Sequence, residues 1–392
     1  QLKFTIRDDE IKTWSVSKGC ELFLNHLTIN ISTTMSTTTK KVYNMYERRQ
    51  SIPIIYVRGT HYDVGYDVGR TFASLIREFV NMFKPLNEAF IPLYNSPQGQ
   101  KVYNETLETV NQSFPQYVRE LQGIADGSQV EFYKLFLLHM DEILPNVVDN
   151  NNSIDAPIGC STIIVNEPGN EERFTSLCYA GHLPGFTMSY NHHGLVYSIN
   201  TLSAATLNSG KTPRHFITRS LLTAQNFEQA QKIFRDTGVG AADGCAINMT
   251  FLKQEGNRLF HNVEMGPAVK PNDKESQLNI LTASPGETIL HCNRYLRLKV
   301  PEVTGLIIDS SVEREGTFNT FKSPKCMEDV VQMLGDQSAK DNHVFRDQPG
   351  KEEYLKTILV GVFDLNKLTW SLYKDNPKTN EPLVVLPLVL KD

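Results

Sequence analysis

The chain has 392 residues, enough for two or three domains of ordinary size or for one large domain. Hydrophobic residues make up 40% and charged residues 21%, which is typical of a globular protein and excludes a disordered or collagen-like chain. With 39 basic and 44 acidic residues the net charge is −5, so the charge balance favours neither nucleic acid nor an anionic membrane as a partner. No apolar run approaches 18 residues, which argues against a membrane-spanning helix.

The cysteines are scattered and include no CxxC pair, so they predict neither a disulfide framework nor a zinc site. Free thiols are typical of a reducing compartment, and we therefore expect a cytoplasmic protein in which any one cysteine could be reactive. The positions are Cys20, Cys160, Cys178, Cys245, Cys292 and Cys326.

The N-terminal half of the sequence favours helices. Residues 1–34 have no hydrophobic period, and we expect a non-native or disordered leader there, with a genuine extension as the alternative. The β-branched run 52–57 predicts a strand, and the glycines of 59–69 favour turns. The apolar spacing over 70–83 predicts an amphipathic helix. Further helices are predicted at 117–125 and 130–144, so residues 35–159 form a mainly helical segment.

A polar loop at 149–157 marks a change of pattern, because the sequence that follows is mostly strand-like. The predicted strands are 161–165, 195–201, 246–252, 259–264, 357–363 and 368–373, and the predicted helices are 214–224 and 227–234.

Metal and nucleotide signatures are absent. The sequence has no HExxH motif, and its glycines fit neither a phosphate-binding loop nor GxGxxG. His139, Asp141 and Glu142 lie on a strongly apolar helix, where polar core contacts or capping are a better interpretation than a metal site. We expect no metal and no organic cofactor.

One motif carries chemistry, the Gly159-Cys160 pair between the polar loop and a strand. A Cys160 thiolate could attack the Gly159 carbonyl and release a chain that begins with Cys160. Its new α-amino group, with a pKa of about 7.7–8.0, would then be a base beside the thiol. The alternative is a structural cysteine at the start of a buried strand.

Longer stretches resemble a known family, the acyl-coenzyme A:6-aminopenicillanic acid acyltransferases, which are N-terminal nucleophile (Ntn) hydrolases. The resemblance covers nearly all of residues 50–392. It is carried by RGTHYDVGYDVGRTF (58–72), SFPQYVRELQGIADG (113–127), KLFLLHMDEILP (134–145), GCSTI (159–163), LCYAGHLPGFTMSYNHHGL (177–195), YSINTLSA (197–204), SGKTPRHFITR (209–219) and GVGAADGCAINMTF (238–251).

The resemblance implies an α+β fold, the four-layer αββα sandwich of Ntn hydrolases. It implies self-cleavage into an α subunit ending at Gly159 and a β subunit of residues 160–392, and it leaves open a further homo-oligomer. It also implies a small-molecule substrate of the β-alanyl-amine class. Members of this kind hydrolyse N-β-alanyl-dopamine to dopamine and β-alanine, and carcinine to histamine and β-alanine, without a cofactor.

The resemblance also assigns residues. Cys160 matches the nucleophile, and Asn293 stands where related enzymes stabilise the oxyanion. Arg314 matches an arginine near the substrate pocket, although Glu313 before it replaces a usual serine. Asn200 could add a polar contact. Separately, its charge makes Asp243 a candidate to bind the β-alanyl ammonium, with turn capping as the alternative.

The sequence departs from the family after the nucleophile strand. Relatives carry a hairpin with a Gly-His-x-Glu-Asp stretch, whose aspartate orients the free amine. Here only residues 166–177 separate the strand from CYAGHLPGF, so this core hairpin of about twenty residues is missing, and its loss should expose a sheet edge. The alternative function is therefore a catalytically impaired, uncleaved member that binds amines or partners. A papain-like protease is disfavoured, because no cysteine has the CGSCW context.

Overall fold

The computed structural model describes residues 52–149, 160–166, 172–254, 258–268, 270, 272–347 and 356–390, and for residues 160–166 it describes the backbone alone. The fold is mixed α/β with mainly antiparallel sheets, as expected in outline from the sequence. The strands are β1 (Ile54–Val57), β2 (Cys160–Asn166), β3 (Arg173–Tyr179), β4 (Ser189–Asn191), β5 (Leu195–Leu202), β6 (Gly244–Phe251), β7 (Phe260–Gly266), β8 (Gln277–Ala283), β9 (Val360–Asp364), β10 (Thr369–Tyr373) and β11 (Val384–Pro387).

Helices dominate the N-terminal segment and interrupt the strands later in the chain. The predicted helix at 130–144 is broken into two, with a turn at residues 139–142. The helices are α1 (His61–Thr71), α2 (Ala73–Met82), a π-helical turn (Pro85–Phe90) that continues into α3 (Ile91–Tyr94), α4 (Pro97–Ser113), α5 (Pro115–Ser128), α6 (Phe132–Leu138), α7 (Ile143–Asp149), α8 (Arg214–Leu221), α9 (Phe227–Arg235), α10 (Leu306–Phe318) and α11 (Met327–Leu334).

Helix α1 corrects the prediction of turns at 59–69. It begins with a capping box, in which the Thr60 hydroxyl accepts a hydrogen bond from the Asp63 N–H and the Asp63 carboxylate accepts one from the Thr60 N–H. Its glycines face helix α5 rather than forming turns. A Cβ at Gly65 would lie 2.0 Å from the Glu120 carbonyl oxygen, and a Cβ at Gly123 would lie 2.2 Å from that of Tyr62. The two backbones are therefore packed as closely as glycine allows.

In the described ranges, β1 to β8 form one sheet in chain order, and β11, β10 and β9 form a second. β1 pairs with β2 in parallel, and the other pairs of the larger sheet are antiparallel. β3 is hydrogen-bonded on both sides, to β2 and to β4. The expected sheet edge beside the nucleophile strand is therefore wrong for this structure, because β3 closes directly onto β2.

Alternate residues of the larger sheet contact different layers, as the two-residue period of a strand requires. Cys178 and Tyr197 belong to the core shared with the N-terminal helices. Leu177 and Val196 belong instead to a core that contains Trp370 of the smaller sheet. On the far side of the smaller sheet, Val360, Val362 and Tyr373 pack against apolar residues of α11.

Within the described part of the chain, no helix combines the length and the apolar character needed to cross a membrane.

Candidate active site

The predicted site residues converge on one end of the larger sheet. Cys160, the first residue of β2, pairs with Tyr179 at the end of β3. The β3–β4 and β4–β5 pairs connect Ser176, Ser189 and Tyr197, and continuing these registers by three residues puts Tyr179 level with Asn200 near the end of β5. β2 and β5 are three strands apart, which corresponds to about 14 Å at the usual strand spacing. The backbones of Cys160 and Asn200 thus share an end of the sheet without touching. Gly159 lies outside the described residues.

Asn293 and Arg314, predicted separately, are in direct contact. Nη2 of Arg314 donates to Oδ1 of Asn293 at 2.9 Å, and Nδ2 of Asn293 donates to the carbonyl of Thr201 at 3.1 Å. A guanidinium only donates and a carbonyl only accepts, so the two partners together fix which way the amide faces. The amide nitrogen of Asn293 carries a second N–H besides the one donated to Thr201. Because Arg314 fixes the orientation of the amide, it also fixes the direction of this second N–H at the end of β5.

The loop that carries Asn293 is anchored by a buried carboxylate that the sequence did not single out. Glu264 of β7 accepts hydrogen bonds from the backbone N–H groups of Leu296 and Leu298 and contacts Nε2 of His291 at 3.1 Å. Burial alone would raise the pKa of Glu264, but these hydrogen bonds outweigh it and lower the pKa to about 2. Glu264 therefore remains ionised and holds the loop on both sides of Asn293.

Asn200 belongs to a row of amides that crosses the sheet. Nδ2 of Asn248 donates to Oδ1 of Asn200 at 3.0 Å and to the Ser198 hydroxyl at 3.3 Å. Nδ2 of Asn262 in turn donates to Oδ1 of Asn248 at 2.8 Å. Because each amide is held by its neighbour, Asn200 is fixed in orientation close to the end of β5.

Asp243 is fully buried against Arg214, in a charge cluster made of Asp141, Glu142, Arg214 and Asp243. Its Oδ1 accepts a hydrogen bond from the Arg214 N–H at 2.7 Å, and its Oδ2 lies 3.4 Å from Nε of Arg214. The Arg214 guanidinium also pairs with Asp141 at 3.0 Å and with Glu142 at 3.1 Å. The prediction of polar core contacts for Asp141 and Glu142 is confirmed.

The charge cluster holds three carboxyl groups against one guanidinium. Burial raises the pKa of Asp243 to about 7, since the opposing effect of Arg214 is offset in part by Asp141 and Glu142. Burial also raises the pKa of Glu142. The Ser203 hydroxyl, just beyond the end of β5, donates to Glu142 at 2.9 Å. The side chains of Asp141 and Glu142 are 19% and 22% exposed, whereas that of Asp243 is completely covered.

Behind this end of the sheet lies a histidine cluster made of His139, His182 and His215. The three ring centroids lie 5.1–5.5 Å apart, and all three side chains are buried. Nε2 of His139 accepts from the Leu183 N–H, which requires that nitrogen to be unprotonated. Burial lowers the pKa of His139 to about 3 and lowers those of the other two. Among the described residues, no set of three side chains has the arrangement of a metal site.

Comparison with known proteins adds a curated relative. The chain is 49% identical over 382 aligned positions to the beta-alanyl-dopamine/carcinine hydrolase of Drosophila melanogaster. The alignment covers 88% of this chain and 98% of the relative.

The same alignment shows that the chain lacks internal residues. Since 88% of 392 residues is about 345, about 37 of the 382 aligned positions hold no residue of this chain. That deficit is large enough to include the hairpin expected after β2. In the sequence only residues 167–172 separate β2 from β3, and β3 (Arg173–Tyr179) contains no carboxylate.

The sequence model of the acyl-coenzyme A:6-aminopenicillanic acid acyl-transferase family matches residues 136–379, which include every candidate site residue named above from Asp141 to Arg314. This match spans more than half of the chain, and the alignment with the Drosophila relative covers 88% of it. The chain therefore belongs to the acyl-coenzyme A:6-aminopenicillanic acid acyl-transferase family.

Proposed function

We propose that this chain is a self-processing cysteine amidohydrolase that cleaves N-β-alanyl amines. The identity of 49% to a hydrolase of that specificity supports the substrate class. The observation on the structure that carries the proposal is the Asn293 amide, which Arg314 orients at the sheet end where β2 begins with Cys160. The layer contacts on both faces of the two sheets support the finer assignment of an αββα sandwich.

The first step of the proposed chemistry is self-cleavage. The Cys160 thiolate attacks the Gly159 carbonyl carbon, the carbon–nitrogen bond breaks, and the nitrogen takes up a proton to become the α-amine of Cys160. Water then hydrolyses the thioester, which leaves a carboxylate on Gly159 and a free thiol on Cys160. The proposed subunits are residues 35–159 and 160–392. In this proposal the α-amine becomes the base for later turnovers.

Turnover follows the same route on a substrate amide. The thiolate attacks the β-alanyl carbonyl, the amine leaves with a proton from the Cys160 ammonium, and water releases β-alanine from the thioester. The carbonyl oxygen becomes negative in each tetrahedral intermediate. Asn293 is proposed to donate its second amide N–H to that oxygen, with Arg314 and Glu264 as positioning residues and Asn200 as a further polar contact.

The substrate ammonium is proposed to lie beside the charge cluster. Asp141 and Glu142 are partly exposed and could contact the ammonium directly. Asp243 is fully buried and would act only through its contact with Arg214. An ammonium within a few ångströms would favour the ionised forms of the carboxyl groups whose pKa burial has raised. In the described part of the chain Cys245, Cys292 and Cys326 form no disulfide, which supports the proposed cytoplasmic location.

Self-cleavage is tested on a denaturing gel with N-terminal sequencing. The wild-type chain should give two bands, one of which begins with Cys160. Cys160→Ser should remain intact, because a hydroxyl is a much weaker nucleophile at neutral pH. Cys178→Ser is the matched control, because its buried thiol lies on the adjacent strand, and it should cleave normally. A fragment that begins at any other residue would refute the assignment of the nucleophile.

A second candidate function is an uncleaved, catalytically impaired member that binds amines. It is favoured by the separation of about 14 Å between β2 and β5 and by the missing carboxylate hairpin. The test inserts a Gly-His-x-Glu-Asp hairpin between Val165 and Leu177. If the native chain is impaired, insertion should raise self-cleavage and β-alanyl-dopamine hydrolysis by about 100-fold or more, since misplacement by about 1 Å costs that much. Equal rates would show that the hairpin is dispensable.

A further inference from the structure

His291 lies two residues before Asn293, on the loop between β8 and α10. Its side chain is completely covered. Nδ1 of the ring lies 2.8 Å from the carbonyl oxygen of Cys292, and Nε2 lies 3.1 Å from Oε1 of Glu264. Both ring nitrogens are therefore within hydrogen-bonding distance of an oxygen.

The two oxygens decide how many protons the ring carries. A carbonyl oxygen only accepts hydrogen bonds, and Glu264, which the backbone N–H groups of the loop keep ionised, also only accepts. A neutral imidazole has a single N–H, so it would turn a lone pair towards one of these oxygens. The imidazolium form of His291, with an N–H on each nitrogen, satisfies both contacts.

The contact with Cys292 bears directly on Asn293, because this carbonyl belongs to the peptide bond that joins the two residues. The N–H of the same peptide donates to the Ser311 hydroxyl of α10 at 3.1 Å. A peptide group is planar, so a hydrogen bond at its carbonyl and another at its N–H fix the plane from which the Asn293 side chain projects. The contacts of the amide described above act at the other end of that side chain.

Charged groups surround this loop. Glu264 of β7 attracts the imidazolium, whereas Arg297, whose Nη1 lies 3.6 Å from the same Oε1, repels it. Titratable side chains of the loop and of α10 include Cys292, Arg294, Glu302, Arg314 and Glu315, of which Arg294 and Glu315 pair at 2.7 Å. One carboxylate is thus shared by two cations, so a rise in pH can remove the proton from His291.

We propose that His291 is a positioning residue for Asn293 and that it acts as an imidazolium. The proposal rests on the proposed function, in which Asn293 stabilises the oxyanion. When His291 loses a proton, either the Cys292 carbonyl or the Glu264 carboxylate faces a lone pair in place of an N–H. The hold on the peptide before Asn293, or on the carboxylate that anchors the loop, is then lost, and Asn293 loses its fixed orientation.

The protonation state is tested without any activity, by nitrogen-15 NMR of the histidine rings in the full chain at pH 7. His261→Gln is the matched control for His291→Gln. Nδ1 of His261, also on or beside β7, contacts the Thr282 hydroxyl at 2.8 Å, and burial lowers its pKa. The signal that His291→Gln removes should be that of an imidazolium, and the signal that His261→Gln removes that of a neutral ring. A neutral His291 would overturn the proposal.

The positioning role is tested with N-β-alanyl-dopamine between pH 6 and pH 10. At pH 7, His291→Gln should lower kcat by about tenfold or more and leave KM near the wild-type value, because the oxyanion donor is misdirected rather than removed. His261→Gln should change neither. The ratio of the wild-type kcat to that of His291→Gln should fall towards one over the pH range in which NMR shows His291 losing its proton. A ratio that does not follow the NMR titration would contradict the role.

Hydrogen exchange separates this proposal from the proposed function. If the wild type hydrolyses no β-alanyl amine, the proposed function fails, and exchange of the Asn293 backbone N–H decides whether His291 holds the peptide. Exchange about tenfold faster or more in His291→Gln, and unchanged in His261→Gln, supports the proposal. Equal exchange in the wild type and the His291 variant, or an equal rise in His261→Gln, would refute it. His291→Asn is a second variant in case His291→Gln fails to fold.

Discussion

The close crossing of α1 and α5 makes a sharp prediction for Gly123→Ala. The new Cβ would lie 2.2 Å from the Tyr62 carbonyl oxygen and 2.7 Å from the Tyr66 nitrogen. Both atoms belong to the backbone of α1, so a rotamer change cannot relieve the clash and the helices must separate. Overpacking usually lowers the free energy of unfolding by about 1–3 kcal/mol. Because the clash here is with backbone atoms, we expect a loss of about 3 kcal/mol or more. Free energies of unfolding are about 5–15 kcal/mol, so the loss is large.

Gly316→Ala is the matched control, since Gly316 is also helical and a Cβ there would meet no atom within 4 Å. It should stabilise the protein by up to about 1 kcal/mol, because alanine favours the helix more than glycine does. Both changes are made in the Cys160→Ser chain and measured by urea unfolding at 25 °C. A loss below about 1 kcal/mol for Gly123→Ala, or an equal loss for Gly316→Ala, would refute the argument.

The remaining predictions concern the site and the pH dependence of stability. Asn293→Ala should lower kcat for β-alanyl-dopamine by about 10²–10³ through loss of one oxyanion donor, and an unchanged kcat would remove Asn293 from the site. Arg314→Gln should lower kcat while leaving KM near the wild-type value, because it frees the Asn293 amide without removing it; a change in KM alone would indicate direct substrate binding instead. In urea unfolding between pH 7 and pH 5, the free energy of unfolding should decrease as the pH falls below about 6.5. Burial lowers the pKa of each histidine of the cluster, so the folded chain keeps these side chains neutral, whereas the unfolded chain takes up protons on them. Each histidine contributes up to about 1.4 kcal/mol per pH unit. Carboxyl groups whose pKa values are raised by burial act in the other direction and reduce the net slope; among the described residues they include Asp243, Glu142, Asp236 and Glu302. A stability that rises as the pH falls from 6.5 to 5 would contradict the neutral cluster.

The regular strands could be predicted because their apolar residues alternate over a sufficient length. β5 and β6 lie within two residues of their predicted bounds. Helix α1 was missed because Gly65 and Gly69 were interpreted locally as turn residues. Their conformation is decided by α5, about 55 residues further along the chain, where a larger side chain would clash. The Thr60–Asp63 capping pair was the local signal that could have identified the helix.

The site was predictable residue by residue but not as contacts. Asn293 and Arg314 were each assigned by resemblance, yet nothing in the sequence pattern indicates that the arginine would orient the amide. The charge cluster was missed as a unit because Arg214 meets carboxylates from segments 73 and 29 residues away. The sequence shows Asp141 and Glu142 side by side and Asp243 about 100 residues later, and only the folded chain shows that the three share one guanidinium.

The parallel pairing of β1 with β2 joins chain segments on opposite sides of residue 159, and the N-terminal helices share one core with the sheet. Neither segment on its own can bury the apolar surface that it presents to the other. Encoded as two polypeptides split between residues 159 and 160, the halves would fold only together, and their yield would depend on both concentrations, as for an obligate heterodimer. A tag on either half would then purify the other.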